Sequence, residues 1–387
     1  MSSSDKIQVD KDKLKEKLEE KFDLSHFDFN AIIRGAQLTL VGGKYTSPEI
    51  RLFHTHRALQ NPALFTTDHY RQAAIAVVAG LAIRLVIAIP IIGIKVLIWF
   101  ISLFISLDAV TWDDKLVGGL DFVAQYVLQV PFFLMALMRY VVPTLDNLFM
   151  QSLQWVDMTY VRKHKNDNPS ELRDMYYPNL KGYRASDGST HSESTAQAVS
   201  MFLYRFLRKG AISLAVFALS YTPVIGRFVL PAASFYTFNN AVGLGPASVI
   251  FGTGIFLPRK YLVIFLQSYF SSRSLMRELL EPYFARVHFT KGQKRNWFRS
   301  REGVLFGFGF GFYVLVKIPL VGVLVYGIAE ASTAYLITKI TDPPPPAPQM
   351  KEYAESQQNW TNKHEFLNLS LANIDSVPRR ELPEKTN

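Results

Sequence analysis

Of the ionisable side chains within the long apolar runs of this chain, five are candidates for intramembrane chemistry: Glu330, Lys317, Arg227, Lys95 and Arg84. A charge deep in hydrocarbon costs on the order of 3 kcal/mol, so such a group faces a partner, water or a solute path. Glu330 is the foremost candidate for an intramembrane functional charge, because it lies among the small residues Gly327, Ala329, Ala331 and Ala334. The four cations lie closer to turns. Their long stems suit interfacial anchoring by snorkelling better than they suit a permeation path. Elsewhere the chemistry is thin. His54 and His56 could nominally ligate a metal, but two imidazoles without a third ligand at useful spacing are not a site. Gly42-Gly43-Lys44 lacks the phosphate-loop spacing, and no Gly-x-Ser-x-Gly elbow occurs. The absence of cysteine removes thiolate metal sites, disulfides and cysteine nucleophiles. No catalytic, cofactor or metal site is expected, and the chain reads as a non-enzyme.

The elements that must position the charges are long apolar runs, and three of them carry one phrase: Ile89-Pro90-Ile91-Ile92-Gly93, Thr222-Pro223-Val224-Ile225-Gly226 and Ile318-Pro319-Leu320-Val321-Gly322. A straight helix of roughly 35 residues would be about 52 Å long, against a hydrocarbon core of about 30 Å. Proline removes a backbone donor and disfavours helix in the residue before it, while glycine admits a reversal. Each run therefore reads as two half-length helices folded at Pro-x-x-Gly. The expected fold is an all-α membrane protein of such hairpins, with amphipathic interfacial helices beside them.

Three regions follow. Residues 1–72 are polar and amphipathic, opening with a Leu14, Leu18, Phe22 stripe and without an apolar core of secretory type, so targeting is expected to lie in the membrane segments. Residues 73–340 form the membrane domain, whose block from Leu116 to Met150 carries Pro131 and Pro143 but not the phrase. It is interrupted by an exposed polar loop at 157–198 and a basic segment at 259–301. Residues 341–387 open with Pro343 to Pro346 and read as a loose tail.

The basic segment has ten cations against two acids, out of a net charge of +10 over 387 residues. Arg273, Arg277, Arg286, Lys291, Lys294, Arg295, Arg299 and Arg301 are expected at the lipid surface, where anionic headgroups are the partner; nucleic acid is not expected. That places loops mainly in the cytosol and leaves the sequons at Asn359 and Asn368 unused. Gly303, Gly307 and Gly311 form a small-residue stripe for close helix packing, within this chain or between copies in a homo-oligomer.

The stretch Ser274-Leu275-Met276-Arg277-Glu278-Leu279-Leu280-Glu281-Pro282-Tyr283-Phe284, then Arg299 to Glu302, Gly303-Val304-Leu305-Phe306-Gly307-Phe308-Gly309 and Ile318 to Gly322, resembles the fungal transmembrane proteins called UsgS. The resemblance covers most of residues 27–346. Those proteins look related to the yeast outer-spore-wall and lipid-droplet membrane proteins. More distantly, a basic stretch followed by a glycine-rich helix, Ile-Pro-Leu and a small-residue helix resembles the CysZ-like family, whose bacterial members carry sulfate. The resemblance implies residence in lipid-droplet, endoplasmic-reticulum or spore-forming membranes and a role in lipid handling or spore-wall assembly. The distant one implies a small-anion transporter or channel as the alternative. Residues 43–56 depart from the family pattern and read as an insertion, an intron translated in frame at Gly43-Lys44-Tyr45.

Overall fold

The computed structural model describes residues 28–40, 61–62, 144–166, 172–183, 224–241, 243–318, 321–346 and 349–369, with parts of 204–222 and the isolated positions 78, 96, 168 and 200. Among them the chain is all-helical, without a strand. Residues 1–26 and 43–56, and the sites Arg84, Pro90, Gly93, Lys95, Pro223 and Pro319, lie outside the described residues.

Two helices define the centre: α1, Phe29–Leu40, and a later one, here called the glycine helix, Glu302–Val316. After its first residue the glycine helix is apolar on every side, and such a helix must bury all its faces in protein or lipid. Its glycines decide which neighbours it takes. A Cβ on Gly307 would overlap the carbonyl oxygen of Ile32 and lie 2.8 Å from Ala36 N. One on Gly303 would lie 2.8 Å from the Ala31 Cβ, and one on Gly311 2.6 Å from Thr39 Cγ2. The fit is reciprocal, since a Cβ on Gly35 would overlap Val304 O. Missing side chains let the two backbones touch. Thr39 Oγ1 donates to Phe308 O at 3.0 Å across the contact. The stripe is thus covered by α1 of the same chain.

Numbered in order after α1, the other helices are α2, Thr144–Lys163; α3, Tyr176–Gly182; α4, Gly226–Ala241; α5, Leu244–Phe256; α6, Arg259–Leu279; α7, Glu281–Arg286; α8, Lys291–Ser300; α9, the glycine helix; α10, Val321–Ile340; α11, Met350–Ser356; and α12, Lys363–Asn368. Gly309 turns to the other side of α9, where its Cβ would meet Met276 Cγ at 2.7 Å and Ser272 O at 2.8 Å on α6. So α9 is clasped between α1 and α6.

α4, α5 and α6 form a layer on that second side. Gly243, at φ 106°, makes the reversal that lays α5 antiparallel to α4. Phe235 then meets Phe251 at 5.8 Å between ring centroids, and Gly254 meets Pro231. α6 returns parallel to α4, bringing Leu262 to Leu230 and Tyr269 to within 4.2 Å of the Phe238 ring. The α5 to α6 turn at Leu257 and Pro258 consequently sits at the same end as the start of α4.

The described residues of the second and third Pro-x-x-Gly phrases share their backbone hydrogen bonds. Thr222 N donates to Leu219 O at 3.1 Å, as Ile318 N does to Leu315 O at 3.1 Å. Gly226 N donates to Thr222 O at 3.0 Å, as Gly322 N does to Ile318 O at 2.9 Å. In both, the glycine Cα lies so close to a carbonyl six residues earlier, Ser220 O or Val316 O, that a Cβ would overlap it. One helix ends and the next begins there: α4 starts at Gly226, and α10 starts at Val321 after α9 has ended at Val316. Val224 takes a left-handed φ of 66°, which a β-branched residue adopts only where the turn over-determines it.

Within the described residues, parts of the two segments read as exposed loop and loose tail are helical and packed. α2 continues through Asp157 to Lys163 and α3 packs beside it, with Tyr176, Leu180 and Tyr183 in the main core. Asp157 is satisfied there, accepting from Arg173 Nη2 at 3.0 Å and Tyr177 N at 2.7 Å. After the prolines, Tyr353, Ala354, Trp360 and Phe366 of residues 349–369 are buried in the same core. A few well-spaced aromatics outweigh a polar composition, because each buries a large apolar surface. Arg34 on α1 donates to the carbonyls of Leu367 and Leu369, tying the first described helix to the last.

Candidate functional site

The strongest concentration of buried polar chemistry lies where α8 passes into α9, at the adjacent residues Arg301 and Glu302. A capping box, Thr290 with Gln293, fixes the start of α8. Trp297 and Phe298 are thereby pinned against Phe284, at 5.0 and 5.3 Å between ring centroids. The next turn carries Arg301 inward until it is only 1 % exposed.

Arg301 closes the end of α10. Its Nε donates to Ile340 O at 2.8 Å and its Nη1 to Gln357 O at 3.1 Å, while the guanidinium lies 4.5 Å over the Trp297 ring. Tyr176 OH donates to Thr341 O at 2.5 Å and Tyr353 OH to Asp342 O at 2.6 Å. Three successive carbonyls at a helix C-terminus, which have no intrahelical partners, thus each receive a donor from a different element. A cation is also favoured there by the helix dipole. Burial pushes the phenols of Tyr176, Tyr283 and Tyr353 up, so they remain donors, and it lowers Arg301 to about 10, which leaves the guanidinium charged at neutral pH. Arg301→Lys keeps the charge but loses the fork and the stack. It should lower unfolding stability by about 2 kcal/mol, seen as an earlier loss of the buried-tryptophan fluorescence signal on denaturation.

Glu302 points the other way, to α6. Its Oε2 lies 3.2 Å from Arg273 Nη2, its Oε1 accepts from Tyr269 OH at 2.7 Å, and Arg273 Nη1 donates to the same phenol at 3.2 Å. Both charged side chains are below 9 % exposed. The triangle is incompletely satisfied: Arg273 Nε has no hydrogen-bond partner, and Glu302 Oε2 has the ion pair without a hydrogen bond. Burial raises the Glu302 carboxyl above the usual carboxylate range, against the opposing pull of Arg273 and Tyr269.

The charges singled out from the sequence are dispersed. Glu330 is buried on α10 between the buried Ala329 and Ala331. Lys317 and Arg227 are exposed, their charges 4.4 Å over the Tyr313 ring and 4.9 Å over the Phe228 ring. Of the eight cations expected at a lipid surface, Arg277, Lys291 and Arg295 are exposed. Arg286, Lys294 and Arg299 are half-buried, with Arg286 bonded to Pro282 O and Lys294 3.1 Å from Glu281. Arg273 and Arg301 are the corrections. Both point into the interior, because Glu302 and the α10 carbonyls supply what water would otherwise supply. Counting charge along 259–301 could not separate them. The usable signal was Arg301-Glu302 standing at the threshold of a wholly apolar helix, with Tyr269 and Arg273 one helical turn apart upstream.

Chemically, both clusters hold elements together. No group of three metal-ligating side chains occurs among the described residues. Comparison with family models, with curated proteins and with solved structures returned no match.

Proposed function

We propose that the chain is a non-catalytic membrane scaffold whose apolar helices enter lipid as hairpins. In keeping with the UsgS-like resemblance, it would reside in lipid-droplet or endoplasmic-reticulum membranes and serve lipid handling or spore-wall assembly. The observation that carries this reading is the pair of Pro-x-x-Gly turns with matching backbone hydrogen bonds, set among apolar helices that leave large apolar side chains exposed. Val249 on α5, Phe265 on α6, Val314 on α9 and Leu324 on α10 are all exposed, as are Ile225 and Ile318 at the turns. A water-facing surface rarely leaves so many large apolar groups uncovered, whereas lipid solvates them. Three helices are short for a crossing: α4, α5 and α9 have 16, 13 and 15 residues, about 20–24 Å against a core of about 30 Å, while α6 and α10, with 21 and 20 residues, reach about 30 Å. Among the described residues no helix is long and apolar enough to cross a membrane. Hairpins that enter and return on one face need no polar loop on the far side, which suits a droplet monolayer.

The test is sodium carbonate extraction with flotation, followed by protease protection and imaging of a tagged chain in droplet-forming cells. The chain should float with membranes, coat droplets, and expose its polar segments on the cytosolic face only, with Asn359 and Asn368 unglycosylated. Release into the aqueous fraction, or an endoglycosidase-sensitive mass shift, would overturn this reading. Reconstituted into liposomes, the chain should move sulfate no faster than empty vesicles. A flux abolished by Glu330→Ala or Lys317→Ala would replace the scaffold with the CysZ-like transporter.

A further inference from the structure

From Ser194 to Arg277 the chain has eight cations and no carboxylate, a run of 84 residues. The fold gathers part of that run at one end of the α4–α6 layer. Antiparallel pairing of α4 with α5, and Leu230 against Leu262, bring the Gly226 turn and the Leu257 turn to the same end. There Phe256 and Val224 are 89 % and 80 % exposed, with Ile225 and Tyr261 exposed beside them. Arg227 and Lys260 are exposed at the same end, one residue past Gly226 and one residue into α6. The basic face of α8 is a separate patch, beyond the far end of α6, whose 21 residues measure about 31 Å.

Resting on the membrane reading above, with α4 and α5 dipping into lipid as the hairpin that reverses at Gly243 so that the Gly226 and Leu257 turns lie at its entry face, we propose that this end of the α4–α6 layer is a binding surface for anionic phospholipid, with Phe256, Val224, Ile225 and Tyr261 among the acyl chains and Arg227 and Lys260 on the headgroup phosphates and carboxylates. Charge complementarity selects that partner. An apolar protein surface would leave two cations uncovered, and a zwitterionic headgroup would gain little from them. Aromatic rings beside cations are also what an interfacial position favours, since the ring is amphipathic and the cation can extend to the headgroups.

A cation near an anionic surface is worth on the order of fivefold in partitioning, part of which salt screening removes. The full-length chain, reconstituted in vesicles of phosphatidylcholine and phosphatidylserine at 4:1, is examined by electron spin resonance with spin-labelled phosphatidylserine or phosphatidylcholine as probe. The motionally restricted fraction should favour phosphatidylserine by about threefold and fall to near parity in Arg227→Gln/Lys260→Gln. Lys291→Gln/Arg295→Gln, on α8, should leave most of the preference in place. Equal restriction of both probes by the natural chain would overturn the proposal, as would a preference that survives the first double variant or disappears with the second. A chain that cannot be incorporated into vesicles at all refutes membrane residence itself, an outcome distinct from loss of headgroup preference. Because the natural chain lacks cysteine, Phe256→Cys can carry a nitroxide without competing labels. That label should be accessible to oxygen rather than to aqueous nickel reagent, and the reverse would place Phe256 in water and sink the proposal.

Discussion

Gly307→Ala should cost about 3 kcal/mol of stability, the upper end of what one inserted methyl costs in a packed interior. The new Cβ would overlap a backbone carbonyl of α1, Ile32 O, and lie 2.8 Å from Ala36 N. Neither is the end of a flexible side chain that could swing aside. α1 must therefore lift off α9, and lifting it also strains the Thr39 to Phe308 bond and the Arg34 bonds to residues 367 and 369. Two readouts follow: a lower denaturation midpoint, and trypsin cleavage after Arg34 at concentrations that leave the natural chain intact. Gly252→Ala and Gly292→Ala are the controls, because a Cβ at either meets nothing within 4 Å. They should be neutral or stabilising by up to about 1 kcal/mol, alanine being the better helix former. Unchanged stability and protection in Gly307→Ala would refute the close contact.

The Arg273–Glu302 pair should show a sharper pattern. Removing one buried partner strands the other, which typically costs 3–5 kcal/mol, so Glu302→Leu and Arg273→Leu should each lose about that much. The double variant should recover most of the loss and approach the natural chain, because two apolar side chains replace a triangle whose Arg273 Nε has no hydrogen-bond partner. A double-mutant cycle of thermal or denaturant unfolding reads the coupling, and simple additivity of the two losses would refute the pair. The pH dependence has a definite sign. Burial raises the Glu302 pKa above its ordinary value of 4.5, so between that pH and the raised value the folded chain holds more protons than the unfolded one. Stability should fall as pH rises through that window, and Glu302→Gln should lack this component of the slope.

The helical class is legible in the sequence, because the long apolar blocks lack the alternation of strands and are broken by proline with glycine. Glycines every fourth residue in 303–311 signal close approach, yet nothing in the stripe names its neighbour. The neighbour, α1, lies more than 260 residues earlier in the chain, its Thr39 bonding to Phe308 across a separation of 269. Such pairing carries no local period. The interior positions of Arg273 and Arg301 were hidden for a related reason. Their counterparts are a single glutamate at a helix start and backbone carbonyls at a helix end, and carbonyls leave no mark in side-chain composition. Residues 349–369 pack on the core through Tyr353, Trp360 and Phe366, each isolated among polar neighbours. Apolar residues are sparse there, although each ring is well placed.

The joining of Arg34 to the backbone near residue 369 bears on the order of biosynthesis. At 5–20 residues per second, the ribosome needs about 13–54 s after completing Thr39 before Phe308 is made, and longer before Leu367 appears. Throughout that interval α1 lacks the α9 surface on which its backbone packs. The last clasp cannot close until Leu367 and Leu369 have been made, so the central bundle is completed only after more than 300 residues have followed α1 off the ribosome.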